Sequence, residues 1–253
     1  AGRGRPEPAA RARMAEFGVS APWQACVQVR LGHYPYMLAD PDVIRNNQWP
    51  HTVALLEEAR AAEIAFWDDL SEAQRSTRGT PDHWAAKDVM AHVTVWKDRL
   101  ANRLGGGDRD EVSERDVDFN EVNRRIFEAN RERPWDDLLE YEAKVFSRLV
   151  AAVEALTDEA IEDAERFEWT EGRPLWWRIG FDVYYHPLDH ISILHRDRGD
   201  RDLAQRSHER IAEGMRSLDD SDSWQGTVTY NLACFYALDD QTRLALEKLS
   251  QAV

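Results

Sequence analysis

The 253 residues contain only two cysteines, Cys26 and Cys234, too few for a disulfide framework and wrongly spaced for a thiolate metal site. No uncharged apolar run approaches the ~20 residues that span a bilayer. The opening AGRGRPEPAARARMAEFG also has no apolar stretch of the kind a secretion signal needs. Its first 13 residues read as a leader, a tag remnant or a loose arm. Together these absences predict a cytoplasmic protein without a membrane partner. Basic residues are scarce relative to acidic ones, 32 against 47, for a formal charge of −15. Such a charge repels phosphate backbones and argues against nucleic acid as a partner. No convincing run of alternating apolar and polar residues occurs between turn signals, so β-structure is not expected.

What remains is helical periodicity. From Thr52 to about Ser71, Val53, Leu56, Ile64, Trp67 and Leu70 mark an amphipathic helix. A second follows with Thr80 as a cap candidate and Pro81 at its first position, its stripe running through Ala85, Val89, His92, Val93, Trp96 and Leu100. Gly105, Gly106 and Gly107 end it. A third stretch is expected from near Asp116, with Pro134 separating or bending it from a run that carries Leu138, Leu139, Phe146, Leu149, Val150, Val153 and Leu156. After an irregular connector, Ile179, Val183, His186, His190 and Leu194 keep helical spacing. Four such segments predict an all-α four-helix bundle over residues 51–200, with a crossover between the second and third. Residues 1–50 form an N-terminal extension. Past Asp200, Leu232, Ala233, Tyr236, Ala245, Leu249 and Ala252 sit where a tetratricopeptide unit places its packing residues. Residues 201–253 therefore read as a helical appendage, a hairpin docked on its own bundle, with a homodimer or a protein partner as the other ways to cover its face.

Eight histidines occur, and a histidine on an apolar face is more often a hydrogen-bonded core residue than a ligand. His33, His51, His83, His195 and His208 lie in polar or unpatterned surroundings. His92, His186 and His190 alone share core-facing positions, and the last two stand one helical turn apart. Three buried imidazoles must each satisfy two ring nitrogens without comfortably carrying charge. A divalent metal resolves that conflict, and three protein ligands leave a position open. Pro187, between two of the three, predicts that the helix either starts near His186 or is kinked there. Ten tryptophans are many; Trp84 and Trp96 fall beside His92, and Trp176 and Trp177 precede His186. They are core anchors or, in the sharper reading, the wall of a pocket for an apolar ligand.

The segments HWAAKDVMAHVTVWKDRL, DFNEVNRRIFEANRERPWDDLLEYEAKVF and GRPLWWRIGFDVYYHPLDHISIL, in this order, resemble the DinB-like four-helix bundle superfamily. The region of Asn123 and the run PLWWRIGFDVYYHPLDH look closest to its ClbS/DfsB branch. The resemblance implies three histidines, His92, His186 and His190 here, that hold a divalent metal, zinc or nickel. It also implies a small-molecule substrate. Relatives include thiol-dependent transferases and isomerases, and proteins that protect a producer from its own genotoxic metabolite. The leading expectation is a metal-dependent hydrolase of a reactive small molecule in a self-protection or detoxification role, with water as the nucleophile. Trp96, Trp177 and Tyr185 are the candidate substrate-binding residues, and Asp98 or Asp189 could orient an imidazole. A thiol-dependent transferase or isomerase, and a toxin-sequestering binding protein, are the alternatives.

Overall fold

The structure, a computed structural model, describes residues 48–107 and 118–252. The expected N-terminal extension, Cys26 and His33, and the expected helix start at Asp116 lie wholly or almost wholly outside those residues. The described chain is helical, and apart from one isolated bridge between Thr80 and His83 no strand pairing occurs among the described residues. The all-α expectation holds.

Four long segments make the bundle. α1 (Gln48–Asp69) is followed by a single turn, α2 (Glu72–Ser76), closed by a reciprocal cap between Ser71 and Gln74. α3 (Ala86–Leu104) pairs with α5 (Trp135–Glu154), and the shorter α4 (Phe119–Asn130) lies against α3. α5 starts directly after Pro134, so the proline separates α4 from α5. After the one-turn α6 (Asp158–Glu162) and a 3₁₀ turn, the fourth segment is continuous: α7 (Leu175–Ile179), a wide π turn (Gly180–Tyr185) and α8 (His186–Asp197). Helix therefore begins within the stretch read as irregular connector, three residues before Arg178.

The inward stripe of α1 is Thr52, Leu55, Leu56, Ala59, Glu63, Phe66 and Trp67, a 3.6-residue repeat with one acid in it. Ile64, expected inside, is 41 % exposed, and its neighbour Glu63 is fully buried. The exchange has a cause on α3, where Lys97 is 1 % exposed and donates to Glu63 Oε1. Beside them Arg60 of α1 pairs with buried Glu142 of α5. Two ion pairs thus join three helices through the bundle interior. α3 starts five residues later than the Thr80 cap predicts. Asp88, three residues in, accepts the backbone N–H of Gly79 at 3.0 Å and of Ala85 at 2.9 Å, and this fixes the entry. A Cβ on Gly79 would lie 2.2 Å from that carboxylate oxygen, so only glycine fits there.

α9 (Arg201–Arg216), α10 (Asp222–Leu238) and α11 (Thr242–Gln251) pack onto α8 and one another. Trp224 of α10 meets Trp176 of α7 edge-on at 5.4 Å and donates to the Met215 carbonyl at 2.6 Å. Buried Tyr184 donates to Glu58 at 2.9 Å and lies 3.2 Å from the Arg210 carbonyl, which ties α9 to both the π turn and α1. His208 is corrected here. It is 2 % exposed, stacked on Phe235 at 4.1 Å with its Nε2 3.6 Å from Asp189. It shares the apolar face of Ala204, Ile211, Ala212 and Met215, which α8 and α10 cover.

Gly214 tests that docking. A Cβ there would sit 2.4 Å from the Tyr184 hydroxyl, and neither the ring nor α9 can retreat without giving up a buried hydrogen bond. Gly214→Val is expected to cost about 2 kcal/mol by overpacking and to lower Tm by roughly 4–8 °C, read by thermal circular dichroism. An unchanged Tm would show that α9 is not held against the bundle as described.

Candidate metal centre

His92 projects from the middle of α3 and is 3 % exposed. His186 opens α8, and His190 follows one turn later at 6 % exposure. What allows this with Pro187 in between is the π turn. There the His186 N–H reaches back five residues to the Phe181 carbonyl rather than four. The wider ladder leaves Pro187 at the first turn of α8, where its missing donor costs nothing. Both sequence alternatives are thus realised at once: α8 starts at His186, on a locally unwound helix.

The three rings form a near-equilateral triangle, with centroids 4.8, 4.9 and 5.0 Å apart. His186 Nε2 is 2.9 Å from His92 Nε2 and 3.2 Å from His190 Nε2. One nitrogen from each of the three lies within 4.8 Å of the others. Donors bound at about 2.0–2.1 Å in a tetrahedral set stand roughly 3.3 Å apart, close to these separations. Burial pushes all three imidazoles below their ordinary range, His190 to about 4, and the mutual proximity of the rings adds to this for His92 and His186. The triad is therefore neutral near pH 7, with one ring nitrogen of each histidine close to a common point. Three Nε2 atoms this close cannot all donate to one another and fit a divalent cation, and the donor chemistry fits zinc or nickel alike.

Aromatic rings surround the triad. Trp84 lies 4.6 Å from His92 and 5.8 Å from His190. Trp96 lies 6.3 Å from His92, donates to Asn123 Oδ1 at 3.3 Å and meets Phe119 at 5.8 Å. α4 thereby holds the Trp96 ring from outside. Trp177 and Tyr185 belong to a different group. Trp177 stacks on Phe181 at 5.6 Å, Phe181 stacks on Tyr185 at 5.3 Å, and Tyr185 meets His208 edge-on at 6.3 Å. Asp98 does not orient a ligand imidazole, because it accepts from the Tyr141 hydroxyl at 2.6 Å and pairs with Arg148. Asp189 is buried beside His208.

Sequence reading missed the charges beneath the triad. The Lys97 ammonium acts on His186, as does Arg178, and each has its own buried carboxylate: Glu63 for Lys97, and Asp182 at 2.6 Å for Arg178. The signal for Lys97 was weak, a basic residue next to Trp96 on an otherwise apolar face. Burial raises the Glu63 carboxyl above its ordinary value, with Lys97 opposing. Lys97→Met removes the opposing charge and is expected to cost about 3–5 kcal/mol at pH 8, since it leaves an uncompensated buried carboxylate. A raised carboxyl favours the fold in its protonated form, so the deficit shrinks as pH falls toward 5. Urea unfolding of the variant and the parent at both pH values checks this. A deficit independent of pH would mean that Glu63 is not the group left unpaired.

Among the described residues no helix is long and apolar enough to cross a membrane. Neither the curated proteins nor the solved structures yield a match to the chain. A family description does match, over residues 55–192, more than half of the chain and a span that holds all three clustered histidines. On that span, and on the helical bundle beneath it, the chain belongs to the DinB superfamily.

Proposed function

We propose that the chain is a metal-dependent hydrolase that opens a reactive, electrophilic small molecule, in a detoxification or self-protection role. The observation that carries this reading is the convergence on one point of three neutral imidazoles, His92 and His190 buried and His186 partly exposed. A divalent cation at that point supplies Lewis acidity and makes water nucleophilic near neutral pH. His92, His186 and His190 hold it, and each needs its Nε2 lone pair free for the purpose. Trp84 and Trp96 line the approach, exclude bulk water and give an apolar substrate a surface to lie on. We also propose Trp96, Trp177 and Tyr185 as substrate contacts, the latter two through the Phe181 stack that leads into His186. Zinc or nickel is the proposed ion, and the ClbS/DfsB branch the proposed kin. Residues 201–253 are read as a tetratricopeptide-like appendage to the bundle of residues 51–200.

Elemental analysis of the purified chain is expected to find about one zinc or nickel per chain, lost in His190→Ala at unchanged helicity. An epoxide or activated cyclopropane, incubated with metal-loaded protein in H₂¹⁸O, is expected to give a ring-opened product with one labelled oxygen, and none with His190→Ala. Full turnover by the metal-free protein would overturn the reading. Unaltered electrophile recovered from a tight complex would replace it by sequestration, and a thiol adduct formed only with added low-molecular-weight thiol would replace it by transfer.

A further inference from the structure

Three cations act on the histidine triad. Lys97 and Arg178 do so from within the bundle and are each matched by a buried carboxylate, Glu63 and Asp182. The third, Arg99, acts on His92. Its guanidinium carbon lies 4.8 Å from the centre of the Trp96 ring, and no carboxylate among the described residues pairs with it. The adjacent acid, Asp98, is already engaged by Tyr141 and Arg148.

Its place on α3 gives the cation a direction. His92, Trp96 and Arg99 stand at i, i+4 and i+7, one face of the helix. At 1.5 Å per residue the two ends of that stripe are about 10 Å apart along the axis. Trp96 is held between them by Asn123 and Phe119, while Arg99 itself is only half-buried and can be reached. Stacking on an indole fixes the plane of a guanidinium and leaves its N–H edge free for a planar, two-oxygen acceptor.

We propose that Arg99 anchors a carboxylate carried by the substrate, whose flat apolar middle lies along Trp96 and whose reacting end reaches the three histidines. The substrate class is an organic carboxylate with roughly 10 Å between the acid group and the electrophilic atom. This rests on the proposed function for the reacting end, but the carboxylate anchor is a property of Arg99 and Trp96 alone.

The test is calorimetric titration of the full chain with 4-phenylbutyrate and with its neutral isostere 4-phenylbutanamide. The carboxylate is expected to bind at least about tenfold more tightly, the gain of a charge-assisted hydrogen bond. Arg99→Gln is expected to reduce that preference to about twofold or less, and Arg99→Lys to keep part of it, because lysine retains the charge without the fork. Circular dichroism and metal content of both variants are expected to match the parent. A preference that survives Arg99→Gln, equal binding of the two probes by the parent, or no binding of either would each overturn the anchor. His190→Ala separates the two proposals. It is expected to lose the metal and keep the carboxylate preference; loss of the preference there would mean that the acid had been binding the cation and would overturn the anchor. A parent chain that holds no metal yet prefers the carboxylate through Arg99 would overturn the hydrolase and leave the anchor standing.

Discussion

The centre depends on a backbone constraint: two histidines one turn apart with a proline between them. In a regular helix already under way, Pro187 would break a hydrogen bond and press its ring against the carbonyl of Val183. The π turn over Gly180–Tyr185 removes that conflict by drawing the His186 N–H to Phe181, so that α8 can begin afresh with Pro187 in its first turn. Gly180, at the start of the turn, lets the end of α9 come close: a Cβ there would lie 2.5 Å from Leu218 Cδ1. The wide turn is therefore clamped from one side by Leu218 and Met215. From another it is held by the buried Tyr184, which bonds to Glu58. A π bulge costs stability that packing must return, and here α1 and α9 supply it.

Burial then does two things at once. It keeps three imidazoles neutral where a surface cluster would titrate, and so presents lone pairs instead of N–H bonds. It also obliges every charge brought in with them to be paired. Lys97 and Arg178 would be intolerable as bare cations in that interior, and the carboxylates of Glu63 and Asp182 answer them. Such pairs add little net stability compared with apolar packing, but breaking one is expensive. Their consequence is geometric. Glu63 and Lys97 lock α1 to α3, and Arg60 and Glu142 lock α1 to α5, so α3, which carries His92, cannot slide along α1 without separating charges.

Much of this was legible in sequence because it follows from periodicity. The helical class, the core-facing stripe of α3 and the shared face of His186 and His190 come from 3.6-residue spacing, and the family likeness joined the distant pieces. What escaped was set by partners far along the chain. Ile64 and Glu63 are neighbours, and pattern alone sends the isoleucine inward; only Lys97, 34 residues away, reverses them. Thr80 has the chemistry of a cap, but Asp88 holds Gly79 and Ala85 from the far side and starts the helix later. His208 could have been found, since it keeps step with Ala204, Ile211 and Met215, but its face is apolar only once α8 and α10 cover it. A π turn has no pattern of its own, and a proline after a histidine was the one trace it left.

The same logic of compensation gives the outer residues their meaning. Lys97 and Arg178 each face a buried carboxylate, whereas Arg99, on the histidine face of α3, has none among the described residues. Trp96 is held by Asn123 and Phe119, and Arg99 lies over its ring. Cation, indole and imidazole in line on one helix make a surface with a polar end, a flat apolar stretch and a donor cluster, which is the complement of a molecule built in the same order. Discrimination by such a surface comes mainly from its charged end, because a planar apolar body is worth little selectivity and a guanidinium that can be reached is worth a great deal.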